Sequence, residues 1–421
     1  MDIVVEGRFL IDGELKQMAV GIEDGKIATM GKLVRGGDER LEFTSGIITP
    51  GFIDPHVHFR EPGMTAKEDF GSGTMSALFG GVTCVLDMPN TNPPTTDIRT
   101  LSDKKASIRR KAHVDYGLFA ALTPNMDVNR LAPHVAGFKL FMGSTTGNIL
   151  MNDDNEIGYL MGDIARSGKV LSVHAEDDDM ILRDREESNW DHLRNRPVEA
   201  EHNAVRRLSR YRGMRINICH VTDAATAEMA KANGFTTEVT LHHMMFAAEN
   251  VEGTEYKVNP PIRDLRTRDA LCRSVEAGNI TMFGSDHAPH TQTDKMQEYA
   301  TAPGGMIGVE TTIPILMNWA MHGRFPLPLL ERMGCSNPAS VFSLNKGRIK
   351  VGMDADLVFF DTKNVTRIDP DALHSKAGHT AYAGTEAIFP DTVMLRGNIQ
   401  IQDGEYCGSA TGVDTVDHPR D

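Results

Sequence analysis

The chain is poor in cysteine. Five are spread over 421 residues, at Cys84, Cys219, Cys272, Cys335 and Cys407, and no two form a CxxC pair. An odd, scattered set argues against a disulfide framework and for free thiols in a reducing compartment. No run of ~20 apolar residues exists, so no membrane span is expected. The first ten residues alternate charged and apolar positions, and no basic stretch leads into an apolar one, so no signal peptide is expected. Positive charge is also short. Lys and Arg number 44 against 58 Asp and Glu, a formal net charge of −14. That excludes a nucleic-acid role resting on a broad basic surface. It leaves room for an anionic small molecule held by a local arginine or lysine. The expectation is a soluble, cytoplasmic protein with neither a nucleic-acid nor a membrane partner.

The length exceeds one small domain and suits a (β/α)8 barrel with additions, since such barrels take ~250 residues before insertions. Hydrophobic residues, 40% of the chain, are enough for a sizeable core. Residues 1–48 read as short strands. Positions 18–22, the turn Glu23-Asp24-Gly25-Lys26 and the return over 27–30 make a hairpin pattern. Strand and turn patterns of the same kind recur at 352–360 and 393–404. Chain ends often lie close together, so residues 1–48 together with 345–421 are expected to form one small β-sandwich domain. Residues 49–344 alternate short apolar runs with helical stretches such as 224–233, the βαβ pattern of a parallel sheet. The runs 82–87, 137–141, 170–174, 216–220 and 280–286 are expected as buried parallel strands. The predicted fold is α/β, a (β/α)8 TIM barrel carrying a terminal β-sandwich.

Three of these runs close on a metal-capable residue: His174, His220 and Asp286. In a (β/α)8 barrel the strand C-termini carry the active site. Upstream, His56 and His58 flank Val57 after the apolar approach Gly51-Phe52-Ile53. Residues i and i+2 of a strand share a face, so both imidazoles can reach one cation; standing alone, such a pair reads as two ordinary surface histidines. Lys139 lies inside Gly137-Phe138-Lys139-Leu140-Phe141. A buried ammonium there is costly or loses its proton, and a neutral amine can add carbon dioxide to become an anionic carbamate with two bridging oxygens. The plain alternative is a lysine reaching water from the strand mouth. Likewise, His174 or His220 alone reads as a satisfied core histidine, and Asp286 alone as a helix cap. Together, four histidines, one lysine and one aspartate suit two divalent cations, Zn²⁺ first, with Mn²⁺ or Co²⁺ able to replace it. Such a pair supplies a hydroxide near neutral pH and polarises a carbonyl. Asp286 is then the catalytic group that carries the hydroxide's proton to a leaving amide nitrogen.

The stretch Ile53-Asp54-Pro55-His56-Val57-His58-Phe59-Arg60-Glu61-Pro62-Gly63 resembles the dihydroorotase signature of the amidohydrolase superfamily. Asp87-Met88-Pro89-Asn90-Thr91, Val258-Asn259-Pro260-Pro261-Ile262-Arg263 and Gly284-Ser285-Asp286-His287-Ala288-Pro289-His290 are similar to further motifs of that family. Residues 346–357 resemble the superfamily's return into its sandwich, and the similarity runs through most of the chain. The resemblance implies the reversible cyclisation of N-carbamoyl-L-aspartate to L-dihydroorotate in pyrimidine (UMP) synthesis. It implies metal-ligand roles for His56, His58, Lys139, His174, His220 and Asp286, with Lys139 carboxylated. It implies substrate contacts from Arg60, Asn90, Asn259 and His290, and backbone contacts from Pro303, Gly304 and Gly305. One departure stands out. Many bacterial relatives with this motif have aspartate as the bridging ligand. The Lys139 stretch is more similar to a lysine-bearing branch that includes hydantoinases and some dihydroorotases, so metal count and substrate stay open at this point.

Residue chemistry bears on the choice. Dihydroorotate carries one carboxylate, which arginine binds bidentately. Arg60 shares the face of His58 if the strand continues, and Asn90 could complete the clamp; a structural salt bridge, to Glu61 for instance, is the plain alternative. The uncharged rings of a hydantoinase, dihydropyrimidinase or allantoinase type of substrate would not need Arg60. An inactive scaffold paralogue is expected to lose ligands, and all six are present. A homo-oligomer is compatible with the sequence. Of the remaining features, His242 and His243 either line the site or pack behind it, and Met244 and Met245 read as core. The acidic run 176–179 reads as a solvated helix start. The polar segment 291–302 could form a mobile lid.

Overall fold

The computed structural model describes residues 1–145, 147 and 149–417. Its centre is a ring of eight parallel strands: β1 (Phe52–Val57), β2 (Val82–Asp87), β3 (Asp115–Ala121), β4 (Gly137–Phe141), β5 (Val170–His174), β6 (Ile216–Ile218), β7 (Thr236–Val239) and β8 (Met282–Phe283). Each pairs with the next in chain order. The ring closes just past β8, where Val57 pairs in parallel with His287 and the His58 N–H donates to the His287 carbonyl at 2.8 Å. Nearly every strand residue is buried, because helices cover the outside and side chains fill the inside. That is why these segments read as continuous apolar runs and not as alternations.

The covering helices carry ordinary start and stop signals. Asp153 caps Asp154–Ser167 by accepting from the N–H groups of Asn155 and Glu156, and Gly168 ends it at φ 65°. Ile157, Leu160, Met161 and Ile164, three to four residues apart, turn its apolar face inward. The expected helix over 224–233 is present as Ala224–Ala232, capped by Asp223.

The two chain ends build one nine-stranded sheet. Glu14–Glu23 and Lys26–Gly31 form the expected hairpin, turning through Asp24 and Gly25 at φ 50° and 74°, the left-handed pair that matches strand twist. Leu357–Phe360 pairs antiparallel with Ile47–Pro50, which joins the C-terminal strands to the N-terminal ones. Val5, Phe9, Val20, Ile48, Leu357 and Phe359 share its core. At the seam, Lys346 is buried among three carboxylates, 2.6 Å from Asp115, 3.0 Å from Asp354 and 2.7 Å from Asp356. A buried ammonium is tolerated only when paired in this way, and it ties the barrel strand β3 to the returning chain. Beyond Tyr406 the chain lies along β3: the Tyr116 N–H donates to the Val413 carbonyl at 2.9 Å. Positions 418–421 of the expected terminal segment lie outside the described residues. No helix among the described residues is long and apolar enough to cross a membrane, and all five cysteines are free.

Candidate active site

The six candidate ligands come from strands β1, β4, β5, β6 and β8 or the residues just past them. Five of them are almost fully buried, and Asp286 is slightly more open. The ligand atoms of His56, His220 and Asp286 lie within 4.8 Å of one another. Arg60, His220 and Asp286 all adopt left-handed backbone, at φ 60°, 36° and 48°. Such strain in non-glycine residues persists only where surrounding structure enforces it, and it gathers at functional sites. The enforcement is visible after β1. The Phe59 N–H donates to Asp87 at 2.8 Å, and Lys104 holds the same carboxylate at 2.5 Å.

Hydrogen bonds on the outer side of the cluster decide what its inner side offers. Glu238 Oε2 lies 2.9 Å from His56 Nδ1, and Asn90 Oδ1 lies 2.6 Å from His58 Nδ1. Glu176 Oε2 lies 2.8 Å from His174 Nε2. Each partner is an acceptor, so each of these ring nitrogens carries the proton, and the opposite nitrogen presents a lone pair. Those lone pairs converge. His56 Nε2 and His58 Nε2 face Asp286 Oδ1 at 3.4 and 3.0 Å, and His174 Nδ1 faces His220 Nε2 at 3.1 Å. The His174 lone pair can accept from His220 Nε2, whose other nitrogen has no partner among the described residues, and the convergence of nitrogens and a carboxylate is one that could hold a cation. The electrostatics agree. Burial and Lys139 oppose protonation of His56, yet Asp286, Cys219 and Glu238 push it up to about 10. Burial opposes ionisation of Asp286, but His56, His58 and His220 hold it well below the usual carboxylate range. Burial lowers His58 to about 3 and also lowers His174 and His220. The cluster thus attracts one positive charge, a proton on His56 Nε2 that a cation would displace to free the lone pair, and keeps the other three imidazoles neutral, as ligation requires.

Lys139 does not reach water. It is 1% exposed, with Nζ 3.0 Å from Cys219 Sγ and 5.2 Å from the Phe141 ring centre. The snorkelling alternative therefore fails. Its charge also acts on His56, His174 and His220, which places the amine among the imidazoles where a carbamate would find cations to bind.

A cleft adjoins this cluster. Arg60, Asn90, Asn259, Gly304 and Gly305 line it, together with His58 and Asp286. Arg60 Nε donates to the Pro289 carbonyl at 3.1 Å, which aims the guanidinium. Burial pulls Arg60 down to about 10, so it stays charged at neutral pH. Gly305 sits at φ 147°, where a Cβ would come within 2.5 Å of the Ala288 carbonyl; only glycine brings backbone this near the cleft. His290 stands behind Arg60 rather than in the lining. The Pro303 carbonyl is engaged by Lys295 Nζ at 3.1 Å.

Several functional side chains escaped the sequence reading. Glu238, in the middle of β7, is completely buried; its Oε1 accepts from Asn217 at 2.5 Å while Oε2 holds His56. Its strand reads Thr236-Thr237-Glu238-Val239, not an apolar run, so nothing local marked this glutamate as buried. Glu176 corrects an expectation. The run 176–179 is not a solvated helix start: Glu176 is buried, pairs with Arg196 at 2.5 Å and orients His174. Asp177, also buried, caps the short turn Asp178–Met180. His243 bonds Thr240 and the Pro260 carbonyl and so packs behind the site, while His242 is buried with Nε2 unpartnered among the described residues. In segment 291–302, Lys295 and Tyr299 are buried anchors; the Tyr299 hydroxyl donates to Asn189 at 2.8 Å.

Glu238→Gln keeps the shape but removes the charge behind His56. It is expected to weaken metal affinity by about 10–100-fold, read by zinc competition against a chromophoric chelator. Unchanged affinity would reduce Glu238 to a packing role.

A family model described as the amidohydrolase family matches residues 47–399. Full-length relatives are named dihydroorotase. One from Thermoplasma acidophilum is 35% identical over 98% of this chain and 98% of its own. Others come from Methanosarcina acetivorans, 34% identical over 93% and 90% of the two chains, and Pyrococcus furiosus, 32% over 98% and 95%. Among solved structures, an L-hydantoinase (dihydropyrimidinase) from Arthrobacter aurescens shares the fold with a TM-score of 0.90 at 24% identity, covering 98% of this chain and 99% of that one.

Proposed function

The chain belongs to the amidohydrolase family and groups there with dihydroorotases, and from that premise we propose that it interconverts N-carbamoyl-L-aspartate and L-dihydroorotate. The observation that carries the reading is a buried, charged Arg60 in the same cleft as Asp286 and His58. Dihydroorotate differs from the uncharged cyclic amides in its ring carboxylate, and a buried guanidinium is a costly feature unless an anion meets it. The hydantoinase resemblance concerns the fold; an uncharged ring leaves Arg60 without a substrate partner.

His56, His58, His174, His220, Asp286 and a carboxylated Lys139 would hold two divalent cations, most simply Zn²⁺. When bound, such cations supply an acidified water and a Lewis acid for the ring carbonyl. The residues of the chain do the rest. Arg60, with Asn90 and Asn259 around the cleft, fixes the carboxylate and so the face of the ring. Asp286 accepts the proton of the attacking water and returns it to the departing ring nitrogen. In the reverse direction the same carboxylate takes that proton from the carbamoyl nitrogen. Five free thiols suit a cytoplasmic setting.

The test is ring opening of L-dihydroorotate by the zinc-loaded protein, followed in the ultraviolet beside dihydrouracil and hydantoin. Turnover of dihydroorotate alone is expected. Ring closure turns two carboxylates into one and consumes a proton, so the cyclic fraction at equilibrium should grow as pH falls. Preference for the uncharged rings would reject the reading.

A further inference from the structure

His290 stands between two cationic side chains. Arg60 Nη2 lies 3.2 Å from its Nε2, and Lys67 Nζ lies 3.0 Å from its Nδ1. An ammonium donates and cannot accept. Nδ1 is therefore the acceptor, and the single ring proton belongs on Nε2. The other side of the ring agrees: the Gly304 carbonyl, acceptor only, lies 3.1 Å from Nε2. Burial, with Arg60 and Lys67 alongside, keeps the ring neutral, so the tautomer is the variable and the charge is not.

The consequence concerns the cleft. With the proton on Nε2, that group and Arg60 Nη2 are both donors and cannot bond each other. The Nε2–H is taken by the Gly304 carbonyl, which holds that stretch of the cleft wall, and the Arg60 Nη2 hydrogens stay undiverted at the cleft for a carboxylate. The opposite tautomer would reverse this. Nε2 would accept from Arg60, divert the guanidinium and set a lone pair against the Gly304 carbonyl.

What could pull the proton across is close by. Asp294 Oδ2 lies 4.0 Å from His290 Nδ1 and 3.1 Å from Lys67 Nζ. Asp294 belongs to the short helix Gln292–Lys295 and is held by a reciprocal capping box with Thr291. The Lys67 ammonium thus intervenes between a carboxylate and the nitrogen that the carboxylate would otherwise protonate.

We propose that Lys67 is a positioning residue, which by donating to Nδ1 fixes His290 as the Nε2–H tautomer and so holds Gly304 in place and leaves Arg60 undiverted for the substrate carboxylate. This rests on the dihydroorotate reading above. The test uses the full-length, zinc-loaded protein with isotope-labelled histidine, the His290 ring signals being those that vanish in His290→Gln. The wild type is expected to show the proton on Nε2. Lys67→Met should shift the population toward Nδ1–H. It should also raise KM for L-dihydroorotate about ten-fold or more, with a smaller fall in kcat. Lys67→Arg, which also donates, should restore both. A ring that keeps its Nε2 proton in Lys67→Met overturns the proposal, even if KM rises, since lost charge alone would raise it. If the wild type does not open L-dihydroorotate, the functional reading fails on its own; the tautomer shift still decides whether Lys67 governs His290.

Discussion

Asp286→Asn is expected to lower kcat/KM for L-dihydroorotate by about 10⁴-fold or more while leaving the protein folded. A positioned acid–base group contributes about 10²–10⁴-fold by itself, and Asp286 is also the anion on which His56 and His58 converge. Its histidine neighbours keep it ionised against burial, so it is ready to accept a proton across the neutral range. An amide is not. Asparagine has nearly the same shape and tolerates the left-handed backbone that Asp286 adopts at φ 48°, so the turn after β8 should survive. Initial rates beside bound-zinc analysis and circular dichroism check this. A variant with full zinc content and activity within ten-fold of wild type would remove Asp286 from the proton path.

Arg60→Ala is expected to cut kcat/KM for L-dihydroorotate by about 30- to 5,000-fold, most of it in KM. Removing one partner of a buried charge pair typically loses 2–5 kcal/mol, or about 1.4 kcal/mol per decade of rate or affinity. Arg60→Lys should fall in between, because it keeps charge but not the planar fork. Any residual turnover of dihydrouracil or hydantoin should not decrease, since neither ring offers a carboxylate. Equal losses on charged and uncharged rings would mean that Arg60 supports the strained turn at φ 60° and not the substrate.

The barrel strands were legible because a strand buried on both faces is a short apolar run, and the residue that ends such a run is visible at once. His174 and His220 could be singled out in that way. His56 and His58 followed from the two-residue period of a strand. The acidic run at 176–179 was misread for an equally local reason. Four consecutive acids look solvated until Arg196, 20 residues away, is seen to neutralise Glu176. Glu238 was overlooked because the histidine it orients lies 182 positions away. Lys67 gave no signal, since its partner His290 is 223 positions distant.

The order of elements, the placement of metal-capable side chains at strand ends and the chemical types available to the site were determined by the sequence alone. All three depend on interactions reaching a few residues along the chain: apolar periodicity, capping and the alternation of a strand. Only the tertiary structure decided which nitrogen of each imidazole faces inward, that Lys139 is sealed from water, and that Arg60, His290 and Lys67 form one row. Those outcomes depend on which acceptors distant loops bring within 3 Å, and on the low-dielectric burial that makes each such acceptor decisive.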